Sequence, residues 1–248
     1  MDATLFDAMR LADELVAIRR HLHRYPELSL HETETAALVA RELGKLGLAV
    51  RTGVGGHGVV ADLAGGRPGK TVALRADMDA LPIREETGLE FASARPGVMH
   101  ACGHDAHTAM LLGAAKLLVR MADRLQGNVR FIFQPAEEIN AGAKAMIADG
   151  ALEGVAEIYG LHNLPTLPAG RIATCAGPMM GSVDRLEIRL EGKGGHGAIP
   201  DQCVDPVVCA SHVIMALQTI ASRELSPFDA AVVTIGSLQA GDANNVIP

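Results

Sequence analysis

The sequence is poor in aromatic residues and in cysteine, and each shortage excludes a class of protein. Among its 248 residues there are five Phe, two Tyr and no Trp, so the core has to be built from Ala, Val, Leu and Met. Four cysteines without a C-x-x-C pair are too few for a small scaffold held together by disulfides. We therefore expect reduced thiols and a cytoplasmic protein.

The chain also lacks a long hydrophobic run and an excess of positive charge. Its longest apolar stretches, 109–119 and 207–220, are interrupted by polar residues and fall short of the roughly 18 uncharged residues of a membrane-spanning helix. The first residues contain no basic stretch followed by an apolar one, so no secretory signal is expected. With 22 basic and 29 acidic residues, the chain has no basic cluster for a phosphate backbone. We expect neither a membrane nor a nucleic acid as a partner.

What is present is the alternation of helices and strands that is typical of an α/β fold. A hydrophobic content of 48% is that of a folded globular protein. Helical spacing of apolar residues predicts helices over 5–25, from 104 to about 125, and around 141–148, and a capping box at 29–32 predicts another that runs to about 46. Compact apolar runs predict strands over 48–54, 59–63, 71–76, 129–133 and 157–161. This order predicts a mostly parallel sheet with helices on both faces, in a metal-binding catalytic domain over residues 1–180.

The pattern changes near residue 180. Residues 183–190 alternate between charged and mostly apolar side chains, which is typical of a half-buried antiparallel strand. A helix is predicted over 204–221 and a strand over 231–237. We interpret 181–248 as the beginning of a smaller α+β domain that this chain does not complete.

Three of the predicted strands are followed directly by polar clusters: D-M-D at 77–79, E-E at 137–138 and H-N at 162–163. A fourth cluster, M-H-A-C-G-H-D-A-H at 99–107, precedes a long predicted helix. Ligands of open α/β sheets bind beyond the carboxyl ends of the strands. We therefore expect these four clusters to meet at one rim of the sheet.

The side chains in these clusters suit a divalent metal ion. Cys102 and His104, one glycine apart, can present a thiolate and an imidazole in the same direction, and Glu138 and His162 add a carboxylate and a second imidazole. Such mixed donors favour zinc, cobalt, nickel or manganese over magnesium and calcium. Adjacent Glu137 and Glu138 cannot point the same way from an extended loop, so we expect one of them to bind metal and the other to face a metal-bound water molecule as the general base.

Each of these features also has a purely structural explanation. A buried Cys is usually a packing residue, and we expect that role for Cys175, Cys203 and Cys209. An adjacent Glu pair is usually a solvated surface. The joint occurrence of the clusters at successive strand ends favours a functional site. Nucleotide binding is not predicted, because the glycine-rich run 53–58 is not followed by a helical pattern.

Seven motifs, spread in order over the whole chain, resemble those of one enzyme family. The family is that of the metal-dependent amidohydrolases of the hippurate hydrolase and N-acyl-amino-acid amidohydrolase type, which are related to dizinc aminopeptidases and carboxypeptidases. The motifs are H-L-H-R-Y-P-E-L-S (21–29), R-A-D-M-D-A-L-P (75–82), M-H-A-C-G-H-D-A-H-T-A-M-L-L-G-A-A (99–115), F-Q-P-A-E-E (133–138), G-L-H-N (160–163), G-K-G-G-H-G-A-I-P (192–200) and N-V-I-P (245–248).

The resemblance implies hydrolysis of the amide bond of an N-acyl amino acid to a carboxylic acid and a free amino acid. It implies two divalent metal ions, manganese, zinc, cobalt or nickel, in a site lined by Cys102, His104, Glu138 and His162. It also implies Glu137 as the general base.

The same resemblance implies roles for three further residues. Asp77 matches a position that orients the site in the wider superfamily, although a metal-binding His of that superfamily is replaced here by Arg75. His196 matches a histidine of the smaller domain that reaches a neighbouring subunit's site and stabilises the oxyanion, and Asn245 matches a residue near the substrate. A homodimer or homotetramer through the smaller domain is implied, as is a further C-terminal histidine ligand that we expect to lie beyond this chain.

Two alternative functions remain open. One is a dipeptidase or aminopeptidase on the same scaffold, and the other is a non-catalytic relative that binds without turnover. The complete set of predicted ligands argues against the second, because a decayed site is expected to lose some of them.

Overall fold

A five-stranded sheet positions the clusters identified in the sequence. Its strands are β1 (Ala49–Val54), β2 (Gly58–Leu63), β3 (Arg67–Asp77), β4 (Gln126–Gln134) and β5 (Val155–Gly160), in the spatial order β1-β2-β4-β3-β5. The pairs β1/β2 and β2/β4 are antiparallel, whereas β4/β3 and β3/β5 are parallel. The five strands predicted between residues 48 and 161 are present and the α/β class is confirmed, but the sheet is mixed rather than mostly parallel. The three strands that precede polar clusters form its parallel half.

The structure is a computed structural model that describes the backbone of residues 3–248 and the side chains from residue 7 onward. Contacts divide the chain into two compact units, Met1–Ile172 and Ala173–Pro248. The assignment of functional domains to 1–180 and 181–248 stays a prediction. Within the described residues, none of the helices combines the length and the hydropathy needed to cross a bilayer.

Helices cover both faces of the sheet, as predicted. They are α1 (Ala3–Arg10), α2 (Ala12–Arg24), α3 (Thr33–Lys45), α4 (His104–Arg120) and α5 (Gly142–Ala148). On one face, Val39 of α3 and Leu112 of α4 are fully buried in the same cluster as Phe131 and Phe133 of β4. On the other face, Ile132 of β4 belongs to a second cluster that also contains Met146 of α5. The alternation of side chains along β4 thus supplies both cores.

Two predictions about the N-terminal helices are wrong. The helix expected over 5–25 is divided in two, because α1 ends at Arg10 and α2 begins at Ala12. The capping box at 29–32 does not form, since α3 begins at Thr33 and its N-cap makes no side-chain capping bond within the described chain. Ser29 instead donates to Asp79, and Glu32 accepts from the backbone N–H of Ala136. Both side chains of the supposed box are therefore used in long-range contacts.

The second unit contains β6 (Gly195–His196), α6 (Pro206–Thr219) and β7 (Val246–Ile247). The predicted helix is confirmed as α6, whose N-terminus is capped by the Asp205 carboxylate. The strands expected over 183–190 and 231–237 do not form. A strand needs a hydrogen-bonded neighbour, and neither run pairs with any of the residues 3–248. The pairing that does form is antiparallel, between β6 and β7.

Candidate metal centre

The carboxyl ends of the parallel strands bring the predicted clusters to one edge of the sheet. The register of β3 with β4 sets Asp77 opposite Gln134, and that of β3 with β5 sets Arg75 opposite Gly160. The polar residues that follow these strands are thus neighbours of one another, and α4 begins beside them. Six predicted residues occur in overlapping groups whose candidate ligand atoms lie within 4.8 Å of one another. They are Asp77, Cys102, His104, Glu137, Glu138 and His162.

His104, the first residue of α4, is fully buried, and one of its ring nitrogens has no hydrogen-bond partner among the described residues. Its Nδ1 lies 2.9 Å from the Asp79 carbonyl oxygen and 3.3 Å from Asp79 Oδ1, so Nδ1 carries a proton and donates it. Its Nε2 and the Oε1 of Glu138, 3.7 Å apart, are both buried without a hydrogen-bond partner among the described residues. Buried polar atoms are normally satisfied. Two such atoms facing each other fit a cation held between an imidazole and a carboxylate.

Cys102 and His162 form a second group of candidate ligands with His104. The Nδ1 of His162 lies 2.7 Å from the Asn163 carbonyl oxygen, to which it can donate. The lone pair is then on Nε2, which lies within hydrogen-bond distance of Cys102 Sγ, at 3.3 Å. Burial, followed by the carboxylates of Glu138 and Glu137, raises the pKa of the Cys102 thiol to about 12. A thiolate at this position therefore requires a cation beside it.

Gly103 makes the C-x-H spacing possible. Its φ of +85° is in the left-handed region, and it precedes the first turn of α4. A Cβ at this position would overlap the side-chain amide of Asn163. Glycine thus lets the chain turn so that Cys102 and His104 converge, and it leaves room for the segment that carries His162.

The glutamate pair follows a residue with an uncommon backbone conformation. Ala136 is fully buried with a φ of +49°, so the loop is not extended here. For that reason the expectation that the two carboxylates point apart is wrong: Glu137 Oε2 and Glu138 Oε1 lie 3.9 and 3.7 Å from the same atom, His104 Nε2. The two differ in exposure, 39% for the Glu137 side chain and 19% for that of Glu138. Burial and the neighbouring Glu138 carboxylate raise the pKa of Glu137.

Asp77 lies at the centre but is occupied by other partners. It accepts from Arg75 Nη1 at 2.7 Å and from His107 Nδ1 at 2.6 Å. Burial alone would raise the pKa of Asp77, but the His107 hydrogen bond and the Arg75 guanidinium outweigh it and lower this pKa to about 2. Asp77 is therefore a firmly ionised carboxylate whose hydrogen bonds fix neighbouring side chains.

His107 belongs to the site, although no role was predicted for it from the sequence. Its Nδ1 donates to Asp77, and its Nε2 accepts from the Asn163 backbone N–H at 3.0 Å. Both ring nitrogens are thus engaged, and His107 ties the end of β3 to the loop that carries His162. The spacing was a usable signal, because residues three apart on a helix lie on the same face, and His107 is three residues after His104.

His196 and Asn245 lie beside each other in the second unit. His196 is paired with Val246 in the β6/β7 ladder, and the Asn245 carbonyl accepts from the Gly197 N–H at 2.8 Å. The Nδ1 of His196 accepts from the Ala198 N–H at 3.0 Å, so the proton of the neutral ring is on Nε2. The parts that the resemblance gives His196 and Asn245 in catalysis stay predictions.

Comparison with known proteins agrees with the motifs. A family profile described as peptidase family M20/M25/M40 matches residues 73–246. An N-acetyl-L-cysteine deacetylase of Bacillus subtilis (strain 168) is 50% identical over 238 residues, which is 96% of this chain and 57% of the relative. An N-acyl-L-amino acid amidohydrolase of Geobacillus stearothermophilus is 47% identical over 244 residues, 96% of this chain and 66% of the relative.

A solved structure of the same family has a similar fold. A Bacillus subtilis protein described as a dinuclear metal binding peptidase of the M20 family superposes with a TM-score of 0.76 at 42% identity, over 97% of this chain and 62% of that one. The chain thus spans about three fifths of the length of these relatives. The resemblance seen in the motifs is confirmed, and the chain belongs to peptidase family M20/M25/M40.

Proposed function

We propose that the protein hydrolyses the amide bond of N-acyl amino acids to a carboxylic acid and a free amino acid, using divalent metal ions. The observation that carries the proposal is the buried Nε2 of His104, which faces Glu138 Oε1 without a hydrogen-bond partner in the described chain. The similarity to an N-acetyl-L-cysteine deacetylase and an N-acyl-L-amino acid amidohydrolase supports the choice of substrate.

Cys102, His104, Glu138 and His162 are the residues that would hold two metal ions. Both imidazoles have Nδ1 beside a backbone carbonyl oxygen, which leaves Nε2 free to act as a ligand. Sulfur, nitrogen and oxygen donors together favour zinc, manganese, cobalt or nickel. When bound, such ions polarise the substrate carbonyl and lower the pKa of water.

Glu137 is the proposed general base. Its side chain is the more exposed of the glutamate pair, and its raised pKa suits a carboxylate that takes up a proton and releases it again. One carboxylate oxygen of Glu137 accepts a proton from the attacking water as the new C–O bond forms. The proton then passes to the amide nitrogen as the C–N bond breaks, and the amino acid leaves as a free amine.

The residues of the second unit complete the proposal. The Nε2–H of His196 is a suitable donor to the oxyanion that develops on the substrate carbonyl in a neighbouring subunit's site, and Asn245 is proposed to contact the substrate. We also propose a smaller lid or dimerisation domain beginning at 181, assembly into a homodimer or homotetramer through it, and a cytoplasmic location.

The test combines metal analysis with a substrate panel. Purified wild-type protein, Glu137→Gln and Glu138→Gln are analysed for bound metal and assayed on N-acetyl amino acids, N-benzoyl amino acids and dipeptides. We expect Glu137→Gln to keep its metal and lose a factor on the order of 10²–10⁴ in turnover, whereas Glu138→Gln loses metal first. Near-native turnover by Glu137→Gln would exclude it as the base. Preference for dipeptides would favour the peptidase alternative, and metal binding without turnover of any substrate would favour the non-catalytic one.

A further inference from the structure

Asp79 is a buried residue that joins three separate segments of the chain at the metal centre. The whole residue is only 1% exposed to solvent. Its Oδ2 accepts from Ser29 Oγ at 2.7 Å and from the Glu138 backbone N–H at 3.0 Å. Its carbonyl oxygen and Oδ1 accept from His104 Nδ1 at 2.9 and 3.3 Å. One residue therefore contacts the ring of one proposed ligand and the backbone of another.

We propose that Asp79 is the positioning residue that orients His104 and Glu138 for metal binding. The proposal rests on the metal-dependent function proposed above, and it gives Asp79 the orienting role that the resemblance assigns to Asp77. Asp77 cannot fill this role for His104, because its carboxylate accepts from Arg75 and His107. Its contact with His104, at 3.6 Å, is to Nε2 and not to the nitrogen that carries the proton.

The contact with His104 determines which nitrogen can bind a metal ion. A proton held on Nδ1 by the Asp79 carbonyl and carboxylate leaves the lone pair on Nε2, which lies 3.7 Å from Glu138 Oε1. A carboxylate behind a histidine ligand also fixes the plane of the ring and increases its basicity. The bond from the Glu138 N–H to Oδ2 fixes the backbone from which the Glu138 carboxylate extends.

The donors around the side chain of residue 79 favour a carboxylate over an amide. Oδ1 faces the Nδ1–H of His104, and Oδ2 faces the hydroxyl of Ser29 and the N–H of Glu138. In an Asp79→Asn variant the amide NH₂ would therefore face a donor in either orientation. The substitution is nearly isosteric, so its effect reports the lost hydrogen bonds rather than a cavity.

The experiment measures metal affinity and makes no use of turnover. Dissociation constants for zinc and cobalt are determined by competition with a chromophoric chelator for wild-type protein, Asp79→Asn, Asp77→Asn and Ser29→Ala, with thermal unfolding as the check on folding. We expect Asp79→Asn to weaken zinc binding by about 10–100-fold and to alter the cobalt d–d absorption. Asp77→Asn should weaken it less. Ser29→Ala, which removes one donor to Asp79 but neither contact with a proposed ligand, should leave it unchanged.

The outcomes separate this inference from the function on which it rests. A folded Asp79→Asn protein that binds zinc as tightly as wild-type protein overturns the inference alone. Wild-type protein that binds neither zinc nor cobalt overturns the proposed function as well. If Asp79→Asn does not fold, ¹⁵N NMR of wild-type protein at a pH where His104 is neutral gives the answer. A proton on Nδ1 is expected, and a proton on Nε2 would overturn the inference.

Discussion

Replacement of Gly103 with alanine should damage the metal centre through the backbone. A left-handed conformation costs an L-residue roughly 1–2 kcal/mol, and Gly103 has a φ of +85°. The added Cβ would also overlap the Asn163 side-chain amide, and overpacking of this kind costs about 1–3 kcal/mol. We therefore expect Gly103→Ala to lose about 2–5 kcal/mol of unfolding free energy. It should also bind zinc more weakly, because Asn163 follows His162 directly.

The two contributions can be separated because Asn163 supports the site through its backbone. Its N–H donates to His107 and its carbonyl accepts from His162. Asn163→Ala therefore removes the overlapping amide and leaves both hydrogen bonds in place. The double variant should regain the overpacking contribution, about 1–3 kcal/mol, and keep the cost of the left-handed backbone.

Gly47 provides a matched control for the backbone term. Its φ is +77°, and no atom of the described residues lies within 4 Å of a Cβ built there. Gly47→Ala should thus lose only about 1–2 kcal/mol and bind zinc normally. Unfolding free energies from urea and zinc affinities from chelator competition are measured on five proteins. They are wild-type protein, Gly103→Ala, Asn163→Ala, the double variant and Gly47→Ala. If Gly103→Ala matches Gly47→Ala in both, or if its cost does not depend on Asn163, the reasoning about this turn is refuted.

Three further predictions concern residues around the centre. Glu32→Ala leaves the buried N–H of Ala136 without its acceptor, whereas Glu32→Gln can keep the hydrogen bond. The alanine variant should therefore lose about 1–3 kcal/mol more unfolding free energy, measured with urea, than the glutamine variant. Equal losses in the two variants would contradict this. The hydrogen bond to Asp105 outweighs burial and raises the pKa of His23 above 6.5. The stabilisation from charged His23 is complete below about pH 6.5 and is lost as the pH rises through the raised folded-state pKa. The loss of unfolding free energy in His23→Gln should therefore shrink as the pH rises above about 6.5, and a loss that does not change with pH would refute the prediction. Cys102→Ser should weaken zinc binding, and thiol reagents should label Cys102 of wild-type protein faster after chelation than before; equal rates would make Cys102 a packing residue.

The strands and their polar ends could be predicted because they depend on local pattern and one rule of topology. Continuous apolar runs such as 129–133 are typical of strands buried on both faces, and parallel strands end at a common edge. These two observations were sufficient to predict that Cys102, His104, Glu138 and His162 lie close together. The contacts that hold them were not accessible in this way. Ser29 and Glu32 fit a local capping box, yet their partners lie 50 and 104 residues away.

The second unit shows that an alternation of charged and apolar residues does not by itself predict a strand. The pattern over 183–190 reports that one side of the segment is more apolar than the other, and it contains no information about a neighbouring strand. A strand forms only where another segment accepts and donates the backbone hydrogen bonds. The short β6/β7 ladder formed instead between motifs that had been identified by resemblance, and it sets His196 opposite Val246.

The four carboxylates around His104 differ in the donors they face, and this difference indicates what each can do. Asp77 and Asp79 accept hydrogen bonds from charged or buried donors, and these hold them in one orientation. Glu138 Oε1 has no such partner in the described chain, and Glu137 is the most exposed of the four. An acid saturated with donors gains little from a cation or a proton, whereas an unsaturated one gains much. Metal binding and proton transfer are thus expected at the glutamates, and a fixed geometry is expected from the aspartates.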